Sequence, residues 1–140
     1  MTQIIEEDIV RELSRMLNEP QWLLDLRLKS LNEFNKTKMP ELKYSMSVIT
    51  DTNRIKFEDI NALNQVTNSV RLENNNIIVL PFQEALKDKN YSNLIKKYFM
   101  TSIKNNKFTL LHKAIFGRGI FVYIPKNTEI NDSININLNL

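Results

Sequence analysis

The sequence predicts an α+β fold with an N-terminal helical hairpin, a mixed α/β middle and strands towards the C-terminal end. Three observations carry this. Apolar residues recur at helical spacing from Ile5 to Phe34, with one break at Pro20. Compact runs rich in β-branched residues stand at Ile77–Leu80 and Ile120–Ile124. The last residues alternate isoleucine or leucine with asparagine at strict period two, the mark of a half-buried strand.

Taken in order, Ile5, Ile9, Leu13 and Met16 follow helical spacing, and Val10 and Leu17 widen the stripe. Thr2 is placed to cap this helix, and Glu6, Glu7 and Asp8 suit the positive end of its dipole. Asn18-Glu19-Pro20 stops it, because proline fits only the first turn of a new helix. The second helix, about Pro20 to Asn35, carries Trp22, Leu23, Leu24, Leu26, Leu28, Leu31 and Phe34, a face broad enough to touch neighbours on both sides. Trp22 reads as a core residue before a partner anchor, and Asp25 and Arg27 read as surface ion-pairing residues. Two helices joined by so tight a turn make a helical hairpin.

From Glu41 to Asn76 the pattern is weak. Tyr44–Ile49 suits an extended segment, Phe57–Val66 a helix through Phe57, Ile60 and Leu63, and Asn74–Asn76 a turn. Beyond it, Ile77–Leu80 is a strand and Pro81 opens a short helix through Leu86. Asn90 is placed to cap a helix whose stripe is Tyr91, Leu94, Ile95, Tyr98 and Phe99. Phe108, Leu111, Ala114 and Ile115 share one face of a further helix, which Gly117 and Gly119 are suited to end in a sharp reversal. Ile120–Ile124 then forms a strand apolar on both faces, as expected of one covered on both sides. Ile134, Ile136, Leu138 and Leu140 make the final alternating strand.

The composition excludes several chemistries. With no cysteine and a single histidine, His112, disulfides are impossible, and an ordinary zinc or iron–sulfur site made by this chain alone is nearly so. His112 lacks a nearby carboxylate in sequence to orient it as a base, so it reads as a capping or partly buried structural residue. No phosphate-binding glycine loop occurs, Gly117-Arg118-Gly119 lacks dinucleotide-binding spacing, and no serine stands in a nucleophile elbow. No catalytic, cofactor-binding or metal residue is therefore assigned, and the chain is not expected to be an enzyme. Hydrophobic content of 42% and charged content of 25% suit a soluble domain. No apolar run reaches the roughly 20 residues of a membrane span, and the acidic start is unlike a signal peptide, so a cytoplasmic location is expected. The net charge is a mild +3, with the basic excess in residues 81–140. Those lysines read as a solvated face; a small stand-alone basic module for RNA or a protein partner is the alternative.

Several stretches resemble one known family. Phe108, Leu111, Ala114, Phe116, Gly119, Phe121, Val122, Tyr123, Pro125 and Lys126 match, in order, the stretch of the SufB/SufD iron–sulfur cluster assembly proteins where the N-terminal region meets a right-handed parallel β-helix. Asn127 stands where that family usually has glycine, and asparagine also tolerates left-handed backbone angles. Glu19-Pro20-Gln21-Trp22-Leu23-Leu24-Asp25-Leu26-Arg27-Leu28-Lys29-Ser30-Leu31 resembles a segment near the start of SufB-type proteins, and Met39-Pro40 fits its exit. Ile77–Leu80, Glu84-Ala85-Leu86 and Leu94–Phe99 follow in family order.

The resemblance implies three parts: a helical hairpin over 1–38, a mixed α/β domain over 39–118, and the first strands of a truncated β-helix over 119–140. It implies the N-terminal portion of a scaffold that works with a SufC-type ATPase and a SufB/SufD paralogue. The full-length family handles an iron–sulfur cluster through later regions, so none of its cluster residues carries over here. The implied role of this segment is structural and partner-docking. The 134–140 strand is expected to be exposed and able to pair with a second copy, membrane association is not expected, and nucleic acid is disfavoured.

Overall fold

A computed structural model of the chain describes residues 5–40, 42–45, 48–50, 52–57, 67–71, 77–130 and 135–139. The helical hairpin is present, as α1 (Glu7–Met16) and α2 (Gln21–Lys36). Asn18 turns the chain between them in a left-handed conformation, φ 50°, which asparagine accepts more readily than most residues. Pro20 then sets the start of α2 with φ −68°. Glu7 and Asp8 lie in the first turn of α1, where the helix dipole favours them. Glu6 holds the cap position without a side-chain bond, and the expected cap Thr2 lies outside the described residues. The buried face of α1 runs through Val10, Leu13 and Ser14, leaving Ile9 and Met16 exposed. The stripe is thus centred one residue further round than the isoleucine spacing suggests.

The weakly patterned middle holds short strands. β1 (Leu42–Ser45) and β2 (Val48–Thr50) form an antiparallel hairpin with an irregular step between Lys43 and Ser45, in agreement with the extended reading there. A 3-10 turn follows at Thr52–Arg54. β3 (Thr67–Arg71) has no counterpart in the sequence reading, because Thr-Asn-Ser-Val-Arg shows no apolar alternation. The helix expected over Phe57–Val66 falls outside the described residues after Phe57, as does the Asn74–Asn76 turn.

The later part follows the predicted order. β4 (Ile78–Pro81) runs into α3 (Phe82–Ala85), then α4 (Lys89–Tyr98), α5 (Lys107–Ile115), β5 (Ile120–Tyr123) and β6 (Asn135–Asn139). The cap of α4 is Asp88, not Asn90: its carboxylate accepts from the Asn90 and Tyr91 amides. α5 begins with a reciprocal cap, in which the Asn106 side chain accepts from Phe108 and Thr109 while Thr109 Oγ1 accepts from the Asn106 amide. Gly117 and Gly119 do not use their conformational freedom, since neither has a positive φ. α5 ends instead at Phe116, which is already extended at φ −56°, ψ 133°. Asn127 does adopt φ 63°, as expected of a residue standing in a glycine position.

All strand pairs among the described residues are antiparallel: β1 with β2, β3 with β6, and β4 with β5. β6 therefore has a partner within the chain, in a register from Thr67 opposite Asn139 to Arg71 opposite Asn135. Among the described residues no coil of parallel β-helix over 119–140 is seen, and the last strand, expected to be exposed, has one edge paired with β3. Period two reports a strand with one covered face, but carries no information on the direction or identity of its neighbour.

Two apolar clusters make the core, and α2 contributes to both. Val10, Leu31, Phe34, Leu110, Leu111 and Ala114 form the first, joining α1, α2 and α5, with the Phe57 ring edge-on to Phe34 at 5.2 Å. Leu23, Phe82, Ala85, Ile95 and Phe116 form the second, between α2, α3, α4 and the end of α5. Each fully buried side chain of this size contributes about 1.5–3 kcal/mol. Trp22 is half-buried against the second cluster, in keeping with its core reading.

Candidate functional site

Between the two clusters α2 turns a charged residue inward. Arg27 is fully buried. Its Nε and Nη2 donate to both carboxylate oxygens of Glu19 at 2.7 and 2.6 Å, and the Glu19 side chain is fully buried too. Nη1 donates to the Ala114 carbonyl at 3.1 Å and Nη2 to the Phe116 carbonyl at 2.8 Å. The guanidinium lies over the Phe116 ring, 3.9 Å from its centroid. These bonds cap the carboxyl end of α5, whose last carbonyls have no partners within the helix. Arg27 is therefore no surface residue, as the sequence suggested. It ties the α1–α2 turn to the corner where α5 leads into β5. Asp25 does lie on the surface, accepting from Gln21 Nε2 at 2.8 Å.

Two lysines of the basic later half are also withdrawn from solvent. Lys107 is 2% exposed; its Nζ donates to the Phe34 carbonyl and sits 3.9 Å from the Phe34 ring centroid. That places a cation at the negative end of α2. Burial pushes the Lys107 amine below its usual pKa. Lys113 Nζ donates to Asn105 Oδ1 at 2.7 Å, holding the loop that precedes α5. Asn105 Nδ2 in turn donates to Glu33 of α2 at 3.2 Å. Lys87, Lys89, Lys96, Lys97, Lys104 and Lys126 are exposed, so the solvated-face reading holds for these and fails for the two on α5.

Catalytic groupings do not assemble. His112 is exposed on α5, not partly buried, with its ring 6.1 Å from that of Phe116 and no carboxylate bonded to it among the described residues. Among the described residues no three of His, Asp and Glu gather in a way that could hold a metal ion. None of the described helices is long and apolar enough to cross a membrane.

Two depressions stand out among the described residues. A cleft of about 570 Å³ lies between the α1–α2 turn and the β4–β5 pair, bordered by Met16, Asn18, Pro81, Gln83, Glu84 and Arg118. Its polar groups are engaged: Gln83 donates to the Gly117 carbonyl at 3.0 Å, and Glu84 accepts from Lys87 at 2.7 Å. The second is an apolar groove of about 470 Å³ between α4 and β5, bordered by Leu94, Tyr98, Phe99 and all four residues of β5. Phe121 and Tyr123 point towards α4, where Tyr91 meets both rings at 5.2 and 5.7 Å.

No family model matches the chain. Curated proteins are similar to it. The iron–sulfur cluster assembly SufBD family proteins of Staphylococcus aureus strains USA300 and NCTC 8325 are each 28% identical to it over 91% of its length. That of Staphylococcus saprophyticus is 27% identical over the same share. The chain spans 36% of the length of each of these relatives. The resemblance read from the sequence is thereby borne out: the chain is a relative of the SufBD iron–sulfur cluster assembly proteins.

Proposed function

We propose that this chain acts as the N-terminal domain of a SUF-system iron–sulfur cluster assembly scaffold of the SufB/SufD type, by structure and docking and not by catalysis. The observation that carries this is similarity to SufBD family proteins along 91% of the chain. The placement of the matched blocks supports it. Arg27 of the first block, held by the Glu19 carboxylate, donates to the Ala114 and Phe116 carbonyls in the last block, so these segments of resemblance meet in one structural unit.

In this reading β5 is the point where a β-helix would begin in a longer protein, and the domain covers its first, otherwise unpaired strands. The iron–sulfur cluster is cargo handled elsewhere in the assembly. The partners are a SufC-type ATPase and a SufB/SufD paralogue, and the location is the cytoplasm. The alternative of a basic RNA-binding module is weakened by the burial of Lys107 and Lys113.

The test is capture of the native gene product from its own cells, with its intact mass and its bound proteins identified. Co-purification with a SufC-type ATPase and a paralogue is expected. A product that associates with neither would overturn the proposal.

A further inference from the structure

α2 and α5 run antiparallel, and each sends a buried cation to the carboxyl end of the other. Arg27 of α2 donates to the Ala114 and Phe116 carbonyls where α5 ends, and its guanidinium covers the Phe116 ring. Lys107, the first residue of α5, donates to the Phe34 carbonyl in the last turn of α2, and its amine covers the Phe34 ring. Each cation lies 3.9 Å from its ring centroid. Arg27 and Phe34 are two helical turns apart, as are Lys107 and Ala114, so the two clasps are separated by about 10 Å. Leu31, Leu110 and Leu111 of the first cluster lie between them along the helices.

The clasps match in shape and differ in charge. Arg27 has a counter-ion, since the buried Glu19 carboxylate takes Nε and Nη2. Lys107 has none among the described residues, and there the Phe34 carbonyl is the one acceptor for an ammonium with three N–H groups. A buried charge is tolerated where it is paired and fully hydrogen-bonded, and is costly elsewhere. The dipole of α2 and the Phe34 ring offset part of that cost, and the lowered pKa of the amine reflects the remainder. The other link across this end, from Lys113 through Asn105 to Glu33, passes through an exposed side chain for which water competes. α5 itself starts securely, because Asn106 and Thr109 cap it reciprocally. What is weak at this end is the contact between the helices.

We infer that the α2–α5 pair is hinged at the Arg27 clasp and released at the Lys107 clasp. Separation there hydrates the ammonium and bares Phe34, Leu110 and Leu111, while the Glu19–Arg27 pair and the second cluster stay packed. The inference stands on these contacts and is independent of the scaffold reading.

The 140-residue chain has no cysteine, so a thiol placed in its core is a single reporter. Leu110→Cys reports on the Lys107 end, and Leu23→Cys, in the second cluster, reports on the hinge side; both leucines are buried. Each variant is labelled with an aromatic disulfide reagent at neutral pH without denaturant. Its rate is compared with the ceiling set by its own global unfolding, measured in urea. Leu110→Cys should label at least about a hundredfold faster than that ceiling, and Leu23→Cys no faster than its own. Adding Lys107→Met keeps most of the stem and removes the charge, and should slow Leu110→Cys relative to Leu23→Cys at least about tenfold. Leu111→Cys, in the same cluster, serves as the reporter if Leu110→Cys does not fold. Labelling of both reporters only through global unfolding would overturn the inference, as would equal excess labelling of the two. So would a Lys107→Met change that leaves the Leu110→Cys rate unaltered, raises it or unfolds the chain, because the lysine would then not be the point of release.

Discussion

Replacing Arg27 by methionine tests the central tie of the fold. Methionine nearly fills the volume of the arginine stem, so the change removes charge and hydrogen bonds with little cavity. What it leaves is a fully buried Glu19 carboxylate without its bidentate partner, and the Ala114 and Phe116 carbonyls without their donors. Removing one partner of a buried ion pair costs about 3–5 kcal/mol, because the remaining charge stays desolvated and unmatched. Against an ordinary domain stability of about 5–15 kcal/mol, that brings the chain close to unfolding. The double variant Arg27→Met/Glu19→Gln removes the stranded charge. It should regain roughly half the loss, since what remains is mainly two unsatisfied carbonyls at about 1 kcal/mol each.

The assay is urea unfolding followed by fluorescence of Trp22, the sole tryptophan, which packs against the second core cluster. An Arg27→Met loss under about 1 kcal/mol would show that water reaches the pair, and would refute the buried-tie argument. A double variant no more stable than the single one would refute the claim that the stranded carboxylate carries the cost.

Other perturbations probe separate parts of the fold. Lys107 has its pKa lowered by burial, so between that lowered value and the ordinary 10.5 the unfolded chain binds more protons than the folded one. The stability of the native chain relative to Lys107→Met should therefore rise with pH through that window, by no more than about 1.4 kcal/mol per pH unit; urea titrations at several alkaline pH values showing a constant difference would contradict it. Asn106→Ala breaks the reciprocal cap of α5 and should cost about 1 kcal/mol by thermal unfolding, whereas Asn106→Gly should cost only a few tenths. Asn127→Ala forces a less tolerant residue into φ 63° and should cost about 1 kcal/mol, with Asn127→Gly near neutral or better; equal stabilities of the two variants would mean the turn relaxes.

The elements that could be read ahead of the structure are those whose own apolar pattern decides them. α1, α2, α4 and α5 carry helical stripes, and β4, β5 and β6 carry β-branched or alternating runs. Local chemistry was less reliable at the ends. Asp88 and Asn90 both have the side chain for a cap, and only the chain path selects Asp88. The glycines near the end of α5 suggested a left-handed reversal, but the carbonyls such a turn would satisfy are already taken by Arg27. β3 and the pairing of β6 were not legible, because strand partners are chosen by contacts distant in sequence. The parallel β-helix expectation came from family resemblance, and a 22-residue stretch holds too few strands to stack coils on one another.

The residues that reasoning by side-chain type misplaced nevertheless left a positional signal. Leu23, Arg27, Ser30, Leu31 and Phe34 stand at i, i+4, i+7, i+8 and i+11, a single helical face that happens to include a cation. Lys107, Leu110, Leu111 and Ala114 repeat the arrangement at i, i+3, i+4 and i+7. A charged residue at a position the apolar period claims must either snorkel to water or meet acceptors inside. Arg27 lies in mid-helix with leucines before and after it, which leaves no short route to solvent, so internal acceptors are required. Glu19, eight residues earlier beside the helix-starting proline, is the acid that the hairpin turn brings back over that face. Where the hydrophobic period and the residue type disagree, the period located the side chain, and the type then specified what had to be waiting for it.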